Sequence, residues 1–88
     1  MYYVYILVQN DNNLYKGSTD DLKRRTKEHE QGRVKSTKNK RPLKLIHYEA
    51  YLKKSDALRR EKFLKTTEGR RLLKRQLRDI LQEFKLIN

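Results

Sequence analysis

The chain has 88 residues, 35% of them hydrophobic and 39% charged, with a formal net charge of +12. That length gives one small domain that buries only about 60% of the surface its unfolded chain exposes, and a field of that sign draws polyanions: DNA, RNA or an anionic membrane. Cysteine is absent and the two histidines, His29 and His47, are far apart, which excludes disulfides, zinc–thiolate and iron–sulfur sites, cysteine nucleophiles and an H-E-x-x-H zinc helix.

Residues 2–8 are rich in Tyr, Val and Ile and read as a strand. Tyr3, Tyr5 and Leu7 share one face; Val4, Ile6 and Val8 share the other. Both faces are bulky, so the strand is expected at the centre of its sheet. No basic segment precedes it and it is too short to span a bilayer. A soluble, cytoplasmic protein with no membrane partner is therefore the expectation. Asn10-Asp11-Asn12-Asn13 is a dense turn signal. Leu14-Tyr15-Lys16-Gly17 then reads as a return strand, antiparallel to the first.

Thr19 or Asp20 is placed to cap a helix to about Gln31, and Gly32 to stop it. Residues 33–44 read as a loop with six positive charges and no negative one. Leu45 to Tyr51 reads as a third strand. Ser55 is expected to cap a second helix through about Lys65, and Thr66 or Thr67 a third, running to about Lys85. Leu73, Leu77, Ile80, Leu81 and Phe84 form one apolar stripe on that last helix. The order is ββαβαα. It predicts a single α+β domain over residues 1–88, a small three-stranded mixed or antiparallel sheet with flanking helices.

Two helical faces break the apolar pattern. In the first helix Leu22 is the only large aliphatic residue and must face inward. Arg25 and His29 flank it, whereas Lys23, Arg24 and Lys27 point away. Either the pair snorkels at the edge of a thin core, or it serves a site. In the second helix Glu61 falls within the stripe of Ala57, Leu58 and Leu64. An inward carboxylate requires a cation, a metal or hydrogen bonds. It is either a structural ion pair, with Arg25 as candidate partner, or a metal ligand or catalytic carboxylate.

Taken together, these residues resemble the GIY-YIG nuclease family. The naming triplets correspond to Tyr3-Val4-Tyr5 and Tyr15-Lys16-Gly17, joined by the hairpin. Leu22 to His29 matches the family's L-x-x-R-x-x-x-H run, and Ala57 to Lys65 looks like its A-x-x-x-E-x-x-x-K segment. The likeness covers about residues 2–75 and is nearest to the short, stand-alone members. Tyr3 stands where the first glycine is usual, and Lys16 replaces an aliphatic residue. Larger relatives also use an Asn beyond the Glu; here no asparagine follows Glu61 before Asn88.

The resemblance implies a metal-dependent endonuclease that hydrolyses DNA phosphodiester bonds with low sequence specificity, in repair or recombination. Glu61 would hold one Mg²⁺ or Mn²⁺, with water and phosphate oxygens completing the shell. Arg25 would fork onto the phosphate and stabilise transition-state charge. Tyr5 and Tyr15 would position the attacking water. Either tyrosine, if its pKa is lowered, or His29 is the candidate general base; His29 alternatively holds a tyrosine hydroxyl. Gly17 is expected to let the phosphate approach the backbone. Lys38, Lys40 and Arg41 are read as phosphate contacts on the basic loop. Two other readings are kept: a DNA- or RNA-binding module without turnover, and a basic adaptor for an acidic protein. Retention of Glu61, Arg25, His29 and both tyrosines argues against the former.

Overall fold

The computed structural model describes residues 1–84. Strand β1 (Tyr2–Val8) is central in a three-stranded, wholly antiparallel sheet, between β2 (Leu14–Thr19) and β3 (Lys44–Tyr51). The tight turn from β1 to β2 puts Asn12 in the left-handed region (φ 67°), which asparagine tolerates better than most residues. Helix α1 (Leu22–Glu30) follows β2, and α2 (Lys54–Leu64), α3 (Thr67–Gln76) and α4 (Arg78–Glu83) follow β3. The order and class are those expected from the sequence. No helix among the described residues is long and apolar enough to cross a membrane.

The two faces of β1 carry different layers. Val4 and Ile6 pack with Ala57, Leu64, Leu73, Leu77 and Leu81 in the main apolar core, against α2, α3 and α4. The opposite face bears Tyr5 and Leu7, whose register partners on β2 are Gly17 and Tyr15. Helix α1 supplies only one fully buried residue, His29. Its apolar content is too low to anchor it by hydrophobic burial alone.

Several element boundaries differ from expectation. Asp21, not Thr19 or Asp20, caps α1, accepting from the Arg24 amide at 3.0 Å. Gly32 does end the helix, with φ 74°. Helix α2 starts one residue before Ser55, with no side-chain cap. Leu58 is 46% exposed, so the inward stripe of α2 is Ala57 and Leu64 alone. The predicted third helix is two. Leu77 leaves helical geometry (φ −103°, ψ 22°), and the bend folds Leu81 back onto the core that holds Leu73. The expected helix end at Lys85 lies outside the described residues, as does Asn88. The basic loop is more ordered than its composition suggests: Val34 and Thr37 are buried, and Lys38–Lys40 form a 3₁₀ turn.

Candidate active site

Tyr5 is at the centre of the tyrosine face and is only 1% exposed. Its hydroxyl is 2.7 Å from His29 Nε2, and His29 Nδ1 is 2.7 Å from Thr37 Oγ1. Helix periodicity puts His29 on the same side of α1 as Arg25 and Leu22. The Tyr5, Tyr15 and His29 rings cluster, with Tyr5–His29 and Tyr15–His29 edge-to-face at 5.5 and 5.2 Å, and Tyr5–Tyr15 tilted at 6.2 Å. This packing fixes the rings, and the two hydrogen bonds fix the imidazole.

Burial, and then the positive charge of Arg25, lowers the His29 pKa to about 4. The imidazole is therefore neutral at pH 7, one nitrogen donating and the other accepting. Both nitrogens are taken by Tyr5 and Thr37, so His29 is not free to accept a proton from water. The sequence-derived alternative that it holds a tyrosine hydroxyl matches its position. Burial pushes the Tyr5 phenol up to about 12, against the pull of the Arg25 guanidinium. The expectation of a tyrosine with lowered pKa thus fails at Tyr5: burial outweighs the cation. Tyr15 is only half-buried, and its hydroxyl is 3.4 Å from the exposed Ser36 Oγ.

Gly17 has a different reason from the one expected. A Cβ there would lie 2.5 Å from both Tyr5 Cζ and its hydroxyl, and 3.0 Å from Tyr15 Cε2. The space over Gly17 is filled by the tyrosine rings, so its backbone is not open to a phosphate. The residue is glycine so that the two rings can sit over the strand.

Arg25 donates to Glu28 at 3.1 Å. Its partner is therefore not Glu61. Glu61 comes from α2, on the far side of the sheet, to the edge strand β2. One carboxylate oxygen accepts from Ser18 Oγ at 2.6 Å, and the other from Lys65 Nζ at 2.9 Å. A cleft of about 320 Å³ has both Arg25 and Ser18 in its wall. The charges of Arg25 and Glu61 both bear on the Tyr5 hydroxyl. Arg25, Glu61, Tyr5, Tyr15 and His29 thus belong to one region around the exposed edge of β2.

The donor set around Glu61 discriminates between metals. The carboxylate is 18% exposed and has a hydroxyl beside it. Among the described residues no three His, Cys, Asp or Glu converge at Glu61 or at any other point. One hard carboxylate suits Mg²⁺ or Mn²⁺, which retain water and take phosphate oxygens. It does not suit a metal needing an all-protein cage of nitrogen or sulfur.

The basic loop does not match its expected role uniformly. Lys40 is paired with Asp11 at 2.9 Å. Arg41 donates to the carbonyls of Lys38 and Glu30 and covers Gly32. Both therefore hold the loop against the turn and the end of α1. Lys38 is exposed and has no ion-pair partner among the described residues. Sequence reasoning misses Ser18 and Thr37. Strand parity is a signal for Ser18, since it places that residue beside Val4 on the face of α2. Thr37 has no local signal at all.

Comparison with known proteins shows the family. A family model described as the GIY-YIG catalytic domain matches residues 1–75, and the chain belongs to the GIY-YIG nuclease family. It is 39% identical over 84 residues to a UPF0213 protein of Haloquadratum walsbyi, covering 92% of this chain and 94% of that one. It is 40% identical over 74 residues to a UPF0213 protein of Staphylococcus haemolyticus, covering 83% and 90%. The solution NMR structure of a UPF0213 protein from Bacillus halodurans superimposes with a TM-score of 0.53 at 35% identity, over 83% of this chain and 82% of that one.

Proposed function

We propose that this protein is a metal-dependent endonuclease that hydrolyses DNA phosphodiester bonds with low sequence specificity, acting on branched or nicked DNA in repair or recombination. The observation that carries the reading is that Arg25 shares a cleft wall with Ser18, whose hydroxyl holds the Glu61 carboxylate at 2.6 Å. A structural core has no need of a carboxylate, a guanidinium and a serine hydroxyl gathered at a sheet edge. A phosphoryl-transfer site uses all three.

Glu61 would hold the divalent ion, Mg²⁺ or Mn²⁺, which would supply charge neutralisation at the phosphate. Ser18 orients the carboxylate. Arg25, in the cleft wall, donates to the non-bridging oxygens and stabilises their growing charge. Tyr5 and His29 are positioning residues in this scheme. Tyr5 remains protonated at neutral pH, and the His29–Thr37 bond fixes the imidazole that anchors its hydroxyl. Tyr15, the less buried tyrosine, is assigned as the base that takes the proton of the attacking water when its phenol is ionised. Lys38 is assigned to the DNA backbone, outside the chemistry.

The test is incubation of the protein with branched, nicked and intact duplex DNA, with Mn²⁺ or with EDTA, beside Glu61→Ala. The reading expects Mn²⁺-dependent cleavage in the wild type and none in the variant. Binding without cleavage by any of the three DNAs would favour the module without turnover.

A further inference from the structure

The single cation of the β-hairpin, Lys16, stands away from the tyrosines. It projects from β2 on the face opposite Gly17 and lines a groove of about 470 Å³ with Arg70 and Lys74 of α3. Leu73 and Leu81 form the apolar floor, Asn12 is at the rim, and no acidic residue is in the wall. None of the three cations forms a salt bridge among the described residues. This contrasts with Lys40, Arg24, Arg59, Arg60 and Arg71, each of which has a carboxylate partner.

Gathering like charges around a half-buried lysine works against the fold. Burial, and then the charges of Arg70, Lys74 and Lys65, lowers the Lys16 pKa. Lys65 belongs to the same field and is bonded to Glu61 at 2.9 Å. The geometry, a groove lined by three cations without salt-bridge partners among the described residues and by no acid, fits a chain of phosphates.

We propose that Lys16, Arg70 and Lys74 form a phosphate track that takes the sugar–phosphate backbone flanking the bond to be cut, an inference that rests on the nuclease reading above. The track, more than the basic loop, then supplies the electrostatic part of DNA affinity. It explains why Lys16 is tolerated at a half-buried strand position: the missing counter-charge arrives with the substrate.

The test uses the full chain with labelled branched DNA in EDTA, titrated over a range of salt concentrations. Each phosphate contact contributes a slope of about −0.9 in log affinity against log salt on duplex DNA. The combined variant Lys16→Met, Arg70→Gln, Lys74→Gln should flatten the wild-type slope by roughly 2 to 3. With Mn²⁺ it should raise KM while kcat at saturation stays near wild type. Lys16→Met alone keeps the aliphatic stem and removes the repulsion, so its Tm should equal or exceed that of the wild type. A combined variant with the wild-type slope overturns the track and leaves the nuclease reading intact. A wild type without salt-dependent DNA binding overturns both. A lowered Tm in Lys16→Met would show that the charge serves the fold, and would also overturn the track.

Discussion

The Tyr5 hydroxyl and His29 Nε2 meet at 2.7 Å between the central strand and a helix with almost no apolar surface. This bond does what hydrophobic burial cannot do there. It fastens α1 to the sheet and, with it, places Arg25 over the edge of β2. Stability and site geometry therefore depend on the same two side chains.

The first consequence is a pH dependence of stability. The His29 pKa is lowered by burial and then Arg25, to about 4, below its unfolded value near 6.5. Below that unfolded value the unfolded chain binds the proton and the folded chain does not, so stability falls as pH falls from about 6.5 to about 4. The loss integrates to on the order of 3 kcal/mol. Chemical denaturation at a series of pH values should show it, and His29→Gln should flatten the profile between pH 7 and 5. An unchanged profile in the variant would place the titrating group elsewhere.

Thr37→Val keeps the side-chain shape and removes the hydroxyl that meets His29 Nδ1. It leaves a buried polar atom without a partner, which costs about 1–3 kcal/mol. Turnover should fall more than DNA affinity, since Thr37 is buried and acts only by orienting the imidazole. Urea unfolding together with single-turnover cleavage checks both parts.

Gly17→Ala should disturb both tyrosines at once. The new Cβ cannot occupy its ideal position without moving the Tyr5 ring, an overpacking that costs about 1–3 kcal/mol. The expected signature is a drop in kcat with little change in Kd for DNA. A variant with reduced affinity and normal kcat would return Gly17 to a role in substrate contact.

Tyr5→Phe and Tyr15→Phe should differ in kind. Tyr15→Phe removes the assigned general base, and loss of such a group typically reduces the rate about 10²–10⁴-fold. Tyr5→Phe leaves His29 Nε2 without its partner, so its loss should come with reduced stability, about 1 kcal/mol or more. Because burial pushes the Tyr5 phenol up to about 12, its removal should leave the shape of the pH–rate profile unchanged between pH 6 and about 9.

Features set by local chemistry were legible in the sequence. The bulky faces of residues 2–8, the Asn-rich turn and the stop at Gly32 each depend on neighbours in the chain, and each agrees with the fold. The inward Glu61 was legible as a break in helical pattern. Its partners were not, because Ser18 and Lys65 are defined by strand register and helix spacing together. Thr37 reads as one more polar residue in a basic loop until the fold brings it under α1. Lys40 and Arg41 read as free cations because an isolated sequence cannot show that Asp11 and the Glu30 carbonyl are near. The bend at Leu77 keeps the same apolar spacing on both sides, so periodicity alone reads through it.

The measurement nearest the central claim is a paired assay of Glu61→Gln: single-turnover cleavage of branched DNA with Mn²⁺, and Kd for the same DNA in EDTA. Glutamine can still accept from Ser18 but cannot supply the negative charge. The account predicts loss of metal-dependent cleavage with Kd within about twofold of wild type, a change of about 0.4 kcal/mol. A variant that cleaves at the wild-type rate would contradict it and leave Glu61 as a structural partner of Ser18 and Lys65.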